Sequence, residues 1–383
     1  MKNILWLVSW YPNRRDMFDG DFIQRHARAV SLFCNVHVIY VKKDDQLAAG
    51  RVLTETIQSG NLSEHIIFYN PVQTGIKFID RILSHRKYIN LYKKAILENI
   101  ALNGKPDNVH VHVAMKAGML ALWIKRKWNI PFVVSEHWTG YLSNADSRIA
   151  DYPFIFQKKL KKILTEATQI TVVSHHLGKA IQKYFPALQY EVIPNVVDTD
   201  IFYPVQKQVS GKIRFIHISN MNYQKNTEAI LDALHLLKEK DSFEMFLYGS
   251  SNPALMQMID RLGLENNVFV MGEVQQPELA KAIQQSDALV LYSRYETFGC
   301  VLIEANACGV PVIVSDIEVF HELIEAGKQG IFAETENPAA LAGKLKQFIL
   351  QRNNFDGKWI AQTTAARYNF SVVGQMFSGL YNR

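Results

Sequence analysis

Residues 295–312, YETFGCVLIEANACGVPV, set two carboxylates, Glu296 and Glu304, eight positions apart among side chains that are almost all small or apolar. An apolar run, Ala288 to Tyr292, precedes the stretch, while Gly309, Pro311 and the β-branched run Val310 to Val314 close it, so it reads as strand, loop, helix, stop, strand. Gly309 suits the position after a helix C-terminus and Pro311 forbids continuation, which predicts a helix over Phe298–Cys308. Glu296 then lies in the loop before the helix. Glu304 lies inside it, with Val301, Ile303, Ala305 and Cys308 as neighbours. An unpaired buried carboxylate costs several kcal/mol, so Glu304 needs a partner: a lysine or backbone amide from another element, or a hydroxylated ligand.

The amides of Thr297, Phe298, Gly299, Cys300 and Val301 would be the unsatisfied donors of that helix N-terminus, an anion site to which Gly299 allows close backbone approach. Gly299 by itself would equally serve a tight turn. A carboxylate one turn further on suits ribose hydroxyls, and the combination suggests a nucleotide. Lys225, in HISNMNYQKNTEAILDAL, stands just before a helix expected from Thr227 and after a strand expected over Arg214–Ser219. It could reach an anion there, its charge partner arriving with the ligand, or be a solvated surface lysine.

The elements that must position these residues recur along the chain. NILWLV, NVHVIYV, NVHVHV, PFVVSE and QITVVS in the first half, and IRFIHIS, FEMFLYG, NVFVMG, ALVLYS and VPVIVS in the second, alternate with helical stretches. That pattern implies α/β architecture with parallel sheets covered on both faces. A chain of 383 residues favours two domains. YEVIPNVVDTDIFYP, residues 190–204, separates the two series, giving domains over 1–195 and 196–364, with a helical tail, from about Ala365 to Tyr381 within 365–383, that could return to the first. Ligands in such sheets bind beyond the carboxyl ends of the strands, so two facing domains make a cleft.

Residues 287–322, with Glu296, Glu304, GVPVIVSD and Glu322, strongly resemble the donor segment of retaining glycosyltransferases of family 4, and VIPNVVDTDIF resembles that family's interdomain segment. The resemblance implies the GT-B fold, two Rossmann-like domains facing across a cleft. It implies a transferase moving a sugar from a nucleotide-diphosphate donor to a saccharide or lipid-linked saccharide acceptor, in polysaccharide or glycoconjugate synthesis, by front-face displacement with retention. It assigns Glu304 to the donor ribose, Glu296 to the transferred sugar, the amides around Phe298 to Val301 to the diphosphate, and Lys225 to its leaving charge. It also brings Gly20, in MFDGDFIQRHARAV, near the diphosphate, and His137, in VVSEHWTGYL, to the donor sugar and acceptor; a lone histidine past a strand is otherwise most often structural. His112 and Ser174 are lesser candidates at strand ends. Asn220 stands where the family usually has an arginine, which leaves Lys225 and helix amides to hold the diphosphate. Two other readings share the cleft: a non-hydrolysing sugar-nucleotide epimerase and a catalytically silent nucleotide-sugar-binding subunit, the latter favoured by Asn220.

No metal or other cofactor is expected. Asp19/Asp21 and Asp198/Asp200 fit D-x-D without the architecture that motif needs, and His110 and His112 share a strand face with no clear third ligand. A dinucleotide oxidoreductase is disfavoured because no GxGxxG follows the first strand. Three cysteines without metal spacing, the lack of a cleavage-site pattern after the short run Ile4 to Trp10, and the lack of a long apolar span point to the cytoplasm. Residues 1–195 carry 26 Lys+Arg against 15 Asp+Glu, a net of +11, so the remainder of the +6 chain is −5. The basic residues interleave with Phe78, Ile79, Ile82, Leu83, Ile89, Leu91, Leu160 and Leu164 at helical spacing. With no nucleic-acid motif beside them, the alternatives are a solvated helix face or docking on the anionic inner face of a membrane.

Overall fold

The computed structural model describes residues 1–207, 211–237 and 243–382. The first sheet comprises β1 (Asn3–Val8), β2 (Asn35–Lys43), β3 (Val52–Ser59), β4 (Leu62–Tyr69), β5 (Asn108–His112), β6 (Phe132–Glu136), β7 (Gln169–Val172) and β8 (Glu191–Val192), in the order β3-β4-β2-β1-β5-β6-β7-β8. The second comprises β9 (Ile213–Ile218), β10 (Phe243–Tyr248), β11 (Val268–Gly272), β12 (Ala288–Leu291), β13 (Val312–Ser315) and β14 (Gly330–Ala333), in the order β11-β10-β9-β12-β13-β14.

Central strands such as β1, β5, β6, β12 and β13 are buried almost throughout because helices cover both faces of each sheet, and β5 and β6 carry His110, His112, Ser135 and Glu136 into that interior. The pairs within both sheets are parallel except β3–β4, an antiparallel hairpin that the sequence pattern does not reveal. β3 reads VLTETIQS, alternates polar residues and is largely exposed, so it lacks the apolar run that marks the other strands. In each sheet the chain reverses direction of growth at its first strand: β1 lies between β2 and β5, and β9 between β10 and β12. The connections diverge at those points and leave a crevice beyond the strand ends. The two crevices face each other.

The expected tail helix is two helices, Gly357–Tyr368 and Phe370–Leu380, because the Asn369 side chain caps a new start by accepting from the Val372 amide. The first packs on the Cys300–Ala307 helix of the second domain, and the second on the Asp21–Ser31 helix of the first. At that crossing Gly374 lies so close that a Cβ would sit 2.2 Å from the Ala29 carbonyl oxygen. Tyr381 completes the return by contacting His110 Nδ1 at 2.6 Å through its hydroxyl.

Gly374→Ala should therefore destabilise the protein by about 1–3 kcal/mol, as overpacking does. Gly379→Ala, on the same helix with no heavy atom within 4 Å of its Cβ, should be neutral or stabilise by up to about 1 kcal/mol. Urea denaturation of both variants checks the contrast; equal effects would mean the crossing is not tight.

Candidate active site

The site assembles where the two crevices meet. After β12 the chain makes a loop and enters the Cys300–Ala307 helix through Gly299, whose φ of 106° is a left-handed conformation open to glycine. The helix begins two residues later than the sequence pattern suggests, since the Phe298 side chain turns into the core and meets Tyr368 edge-on with centroids 6.1 Å apart. Only Cys300 and Val301, of the five proposed amide donors, belong to the helix's first turn. Leu302, Ile303, Ala305, Asn306 and Ala307 are all buried, so this helix is surrounded, and Glu304 is buried within it.

The partner of Glu304 is neither a lysine nor a backbone amide but an arginine from the other domain. Arg25 Nη1 donates to Glu304 Oε1 at 2.6 Å, and Nη2 donates to Asp21 Oδ2 at 2.9 Å. Burial raises the Glu304 carboxyl above its ordinary range, with Arg25 opposing that shift. Burial alone would lower the Arg25 guanidinium, but Asp21 and Glu304 together hold it above its ordinary value. Arg25 is presented by the Asp21–Ser31 helix, which starts at Gly20 (φ 67°), where a Cβ would lie 2.8 Å from Trp10 backbone carbon.

Lys225 is neither solvated nor waiting for a ligand: its ammonium pairs with Glu296 Oε1. Ser293 Oγ donates to the same oxygen at 3.1 Å, and Gln224 Nε2 donates to Oε2 at 3.2 Å. Both proposed ligand-binding carboxylates are thus held by cations. A cavity of about 450 Å³ opens beside them, lined by Asn220, Lys225, Cys300, Val301 and Glu304 together with Asp21 and Arg25. Gly249, at the end of β10, also borders it; with φ 120° a Cβ there would fall 1.8 Å from the Ser219 carbonyl oxygen. Glu296 reaches the cavity through Lys225. Thr297 and Ser174 instead join the domains, the Ser174 hydroxyl donating to the Thr297 carbonyl at 2.7 Å. Glu322 does likewise, accepting from the His175 and His176 amides at 2.7 and 2.6 Å at the start of the His175–Tyr184 helix.

His137 is not among the residues lining the cavity. It lies behind Phe22, ring centroids 4.8 Å apart, within a buried group formed with His26, His110 and His112. The strand pair His110 and His112 gains no shared third ligand, but His112 belongs to a different group: ring nitrogens of His26, His112 and His137 all lie within 4.8 Å of one another. His26 Nε2 meets the Pro194 carbonyl at 3.1 Å, which leaves its buried Nδ1 facing the group. A tetrahedral zinc site needs nitrogen separations of roughly 3.3 Å, so these rings would have to draw together to take an ion. His110 is a satisfied core residue, bonded through both ring nitrogens to Tyr381 and Ser135. Asp19 pairs with Lys42 and Asp21 with Arg25, so that D-x-D pair is already engaged.

Two family models match the chain: Glycosyltransferase Family 4 over residues 27–201 and Glycosyl transferases group 1 over residues 199–365. An uncharacterized glycosyltransferase of Methanocaldococcus jannaschii is 26% identical over 302 residues, covering 78% of this chain and 79% of that protein. The sucrose-phosphate synthase structure from Thermosynechococcus elongatus superposes with TM-score 0.80 at 18% identity, covering 100% of this chain and 98% of that one. Anabaena HepE in complex with UDP-glucose gives TM-score 0.71 at 15% identity, covering 100% of both chains.

The histidine group sets a pH dependence. Burial first, then neighbouring imidazoles, lower His110, His112 and His137 well below their ordinary value, and burial lowers His26 to about 3. These four bind protons on unfolding below about pH 6.5, whereas Glu136, raised to about 7 chiefly by burial, releases one. This group takes up a net of about three protons; His217, lowered to about 4 by burial, adds to that uptake and Glu304, raised by burial, opposes it, so stability falls with acidification below about pH 6.5. Urea denaturation at pH 7.5, 6.5 and 5.5 checks this, and His112→Asn should reduce the slope by about one proton. A flat profile would contradict the neutral, buried group.

Proposed function

Since the chain belongs to glycosyltransferase family 4 and has the GT-B fold, we propose that it moves a sugar from a nucleoside-diphosphate donor to a hydroxyl acceptor with retention of anomeric configuration. The observation that carries this reading is the convergence of Glu304, the first-turn amides of Cys300 and Val301, and Lys225 on one cavity at the second sheet's switch point. Its volume of about 450 Å³ falls within the range of small-molecule sites.

In this reading Glu304 accepts from ribose hydroxyls and the diphosphate lies against the Cys300 and Val301 amides. Lys225 exchanges Glu296 for the departing phosphate, whose charge grows as the glycosidic bond breaks, and Glu296 turns to a sugar hydroxyl. The closed domains exclude water, and the acceptor hydroxyl attacks from the face the phosphate leaves, passing its proton to that phosphate. His137 would meet the sugar only if Phe22 moved aside. No step needs a metal ion. HepE was solved with UDP-glucose, which makes uridine donors the first to try.

Lys225→Ala should lower turnover of a nucleotide-sugar with acceptor by about a hundredfold or more, as loss of a charge-stabilising donor does. Chelator should leave the rate unchanged. Product NMR should show the donor's anomeric configuration preserved. Conversion of the nucleotide-sugar without acceptor would favour an epimerase, and saturable binding without turnover a silent subunit.

We propose further that the acceptor side meets a lipid surface. Among the described residues no helix is long and apolar enough to cross a membrane. Yet Phe78 is 64% exposed, Phe154 77% and Ile155 68%, on the Lys77–Asn103 and Phe154–Glu166 helices. Leu160 and Leu164 pack inward as in a solvated helix, whereas Phe78, Ile79 and Ile82 do not. Burial first, then Lys159, Lys116 and Lys43 from separate elements, lower His85 on the same Lys77–Asn103 helix. Each basic residue near an anionic surface contributes about 1 kcal/mol. Sedimentation with anionic vesicles at low salt should capture the protein, and neutralising Lys158, Lys159, Lys161 and Lys162 should release it. Failure to bind at low salt would leave a soluble acceptor.

A further inference from the structure

We propose that Arg25 is the cation that the first domain contributes to the donor's diphosphate. This rests on reading the cleft as the nucleotide site. Among the described residues lining the cavity the cations are Lys225 and Arg25, set against Asp21, Glu273 and Glu304, while Asn220 is neutral. A diphosphate brings at least two negative charges into this acidic setting. One lysine, itself shared with Glu296, does not balance them.

Arg25 has the chemistry for the second position. Its guanidinium offers five N–H donors in a planar fork, and the bonds to Glu304 and Asp21 occupy two nitrogens, leaving the buried Nε without a partner. A phosphate oxygen is the acceptor this fork matches, through short charge-assisted bonds. Its pair with Glu304 joins the domains across the cleft, on the very carboxylate proposed to hold ribose. When ribose hydroxyls draw on Glu304, Arg25 loses part of that anion's hold and its fork is released toward the diphosphate. Gln276, also bordering the cavity, donates to Asp21 at 3.1 Å and keeps a second interdomain link on the same helix turn. Arginine at 25 would thus read the phosphates, and the nucleoside would be read separately from the second domain.

That separation is testable by titration calorimetry with UDP and with uridine, on the wild type and Arg25→Gln. The expected result is UDP affinity reduced tenfold or more with uridine affinity unchanged within about threefold, or tightened because Glu304 has lost a competitor. Equal loss for both probes would make Arg25 only a positioning residue for Glu304, and unchanged UDP affinity would also overturn the proposal. Wild-type protein that binds none of UDP, GDP and ADP would overturn the nucleotide reading itself, which is a different outcome. Circular dichroism verifies folding. If the Gln variant does not fold, Arg25→Lys keeps the charge without the fork and should lose several-fold for UDP and nothing for uridine; equal losses there would overturn the proposal as well.

Discussion

A carboxylate inside a helix buried on every side cannot stay charged without a cation beside it, and Glu304 meets that condition through the opposite domain. Breaking such a pair costs about 3–5 kcal/mol because a lone buried charge remains. Much of the molecule serves to bring Arg25 there. Gly20 lets the Asp21–Ser31 helix begin close against Trp10, and the final helix, crossing back from the second domain, braces its far side at Gly374. Ser174 with Thr297, and Glu322 with the His175–Tyr184 helix, hold the same apposition from the other end of the cleft.

The same constraint shapes the chemistry. The two cations of the cleft are paired within the protein, Lys225 to Glu296 and Arg25 to Glu304, so neither buried carboxylate is left without a cation. A ligand carrying both anionic and hydroxyl groups can exchange both pairs at once. One carrying only phosphate or only hydroxyls disturbs the match. The neutral histidine group behind Phe22 adds a firm floor rather than another charge.

The placement of Glu296, Gly299 and Glu304 was legible in the sequence because they sit on one segment of strand, loop and helix. Lys225 was legible from its position before Thr227, but its partner was not, since Glu296 lies 71 positions away in the chain. Arg25 was not legible because nothing local in FIQRHARAV says that residue 25 faces another domain, its partner Glu304 lying 279 positions on. The grouping of His26 and His137 with His112 was not legible for the same reason, since a helix and two strand ends far apart in the chain bring the three rings together. The hairpin β3–β4 was missed through its polarity, and the helix start through the inward turn of Phe298.

The most direct measurement is a crystal structure of the protein with UDP. The account predicts ribose hydroxyls on Glu304, phosphate oxygens between Lys225, the Cys300 and Val301 amides and Arg25, and Glu296 released from Lys225. Nucleotide bound elsewhere, or bound with Arg25 and Lys225 still locked to their carboxylates, would contradict it.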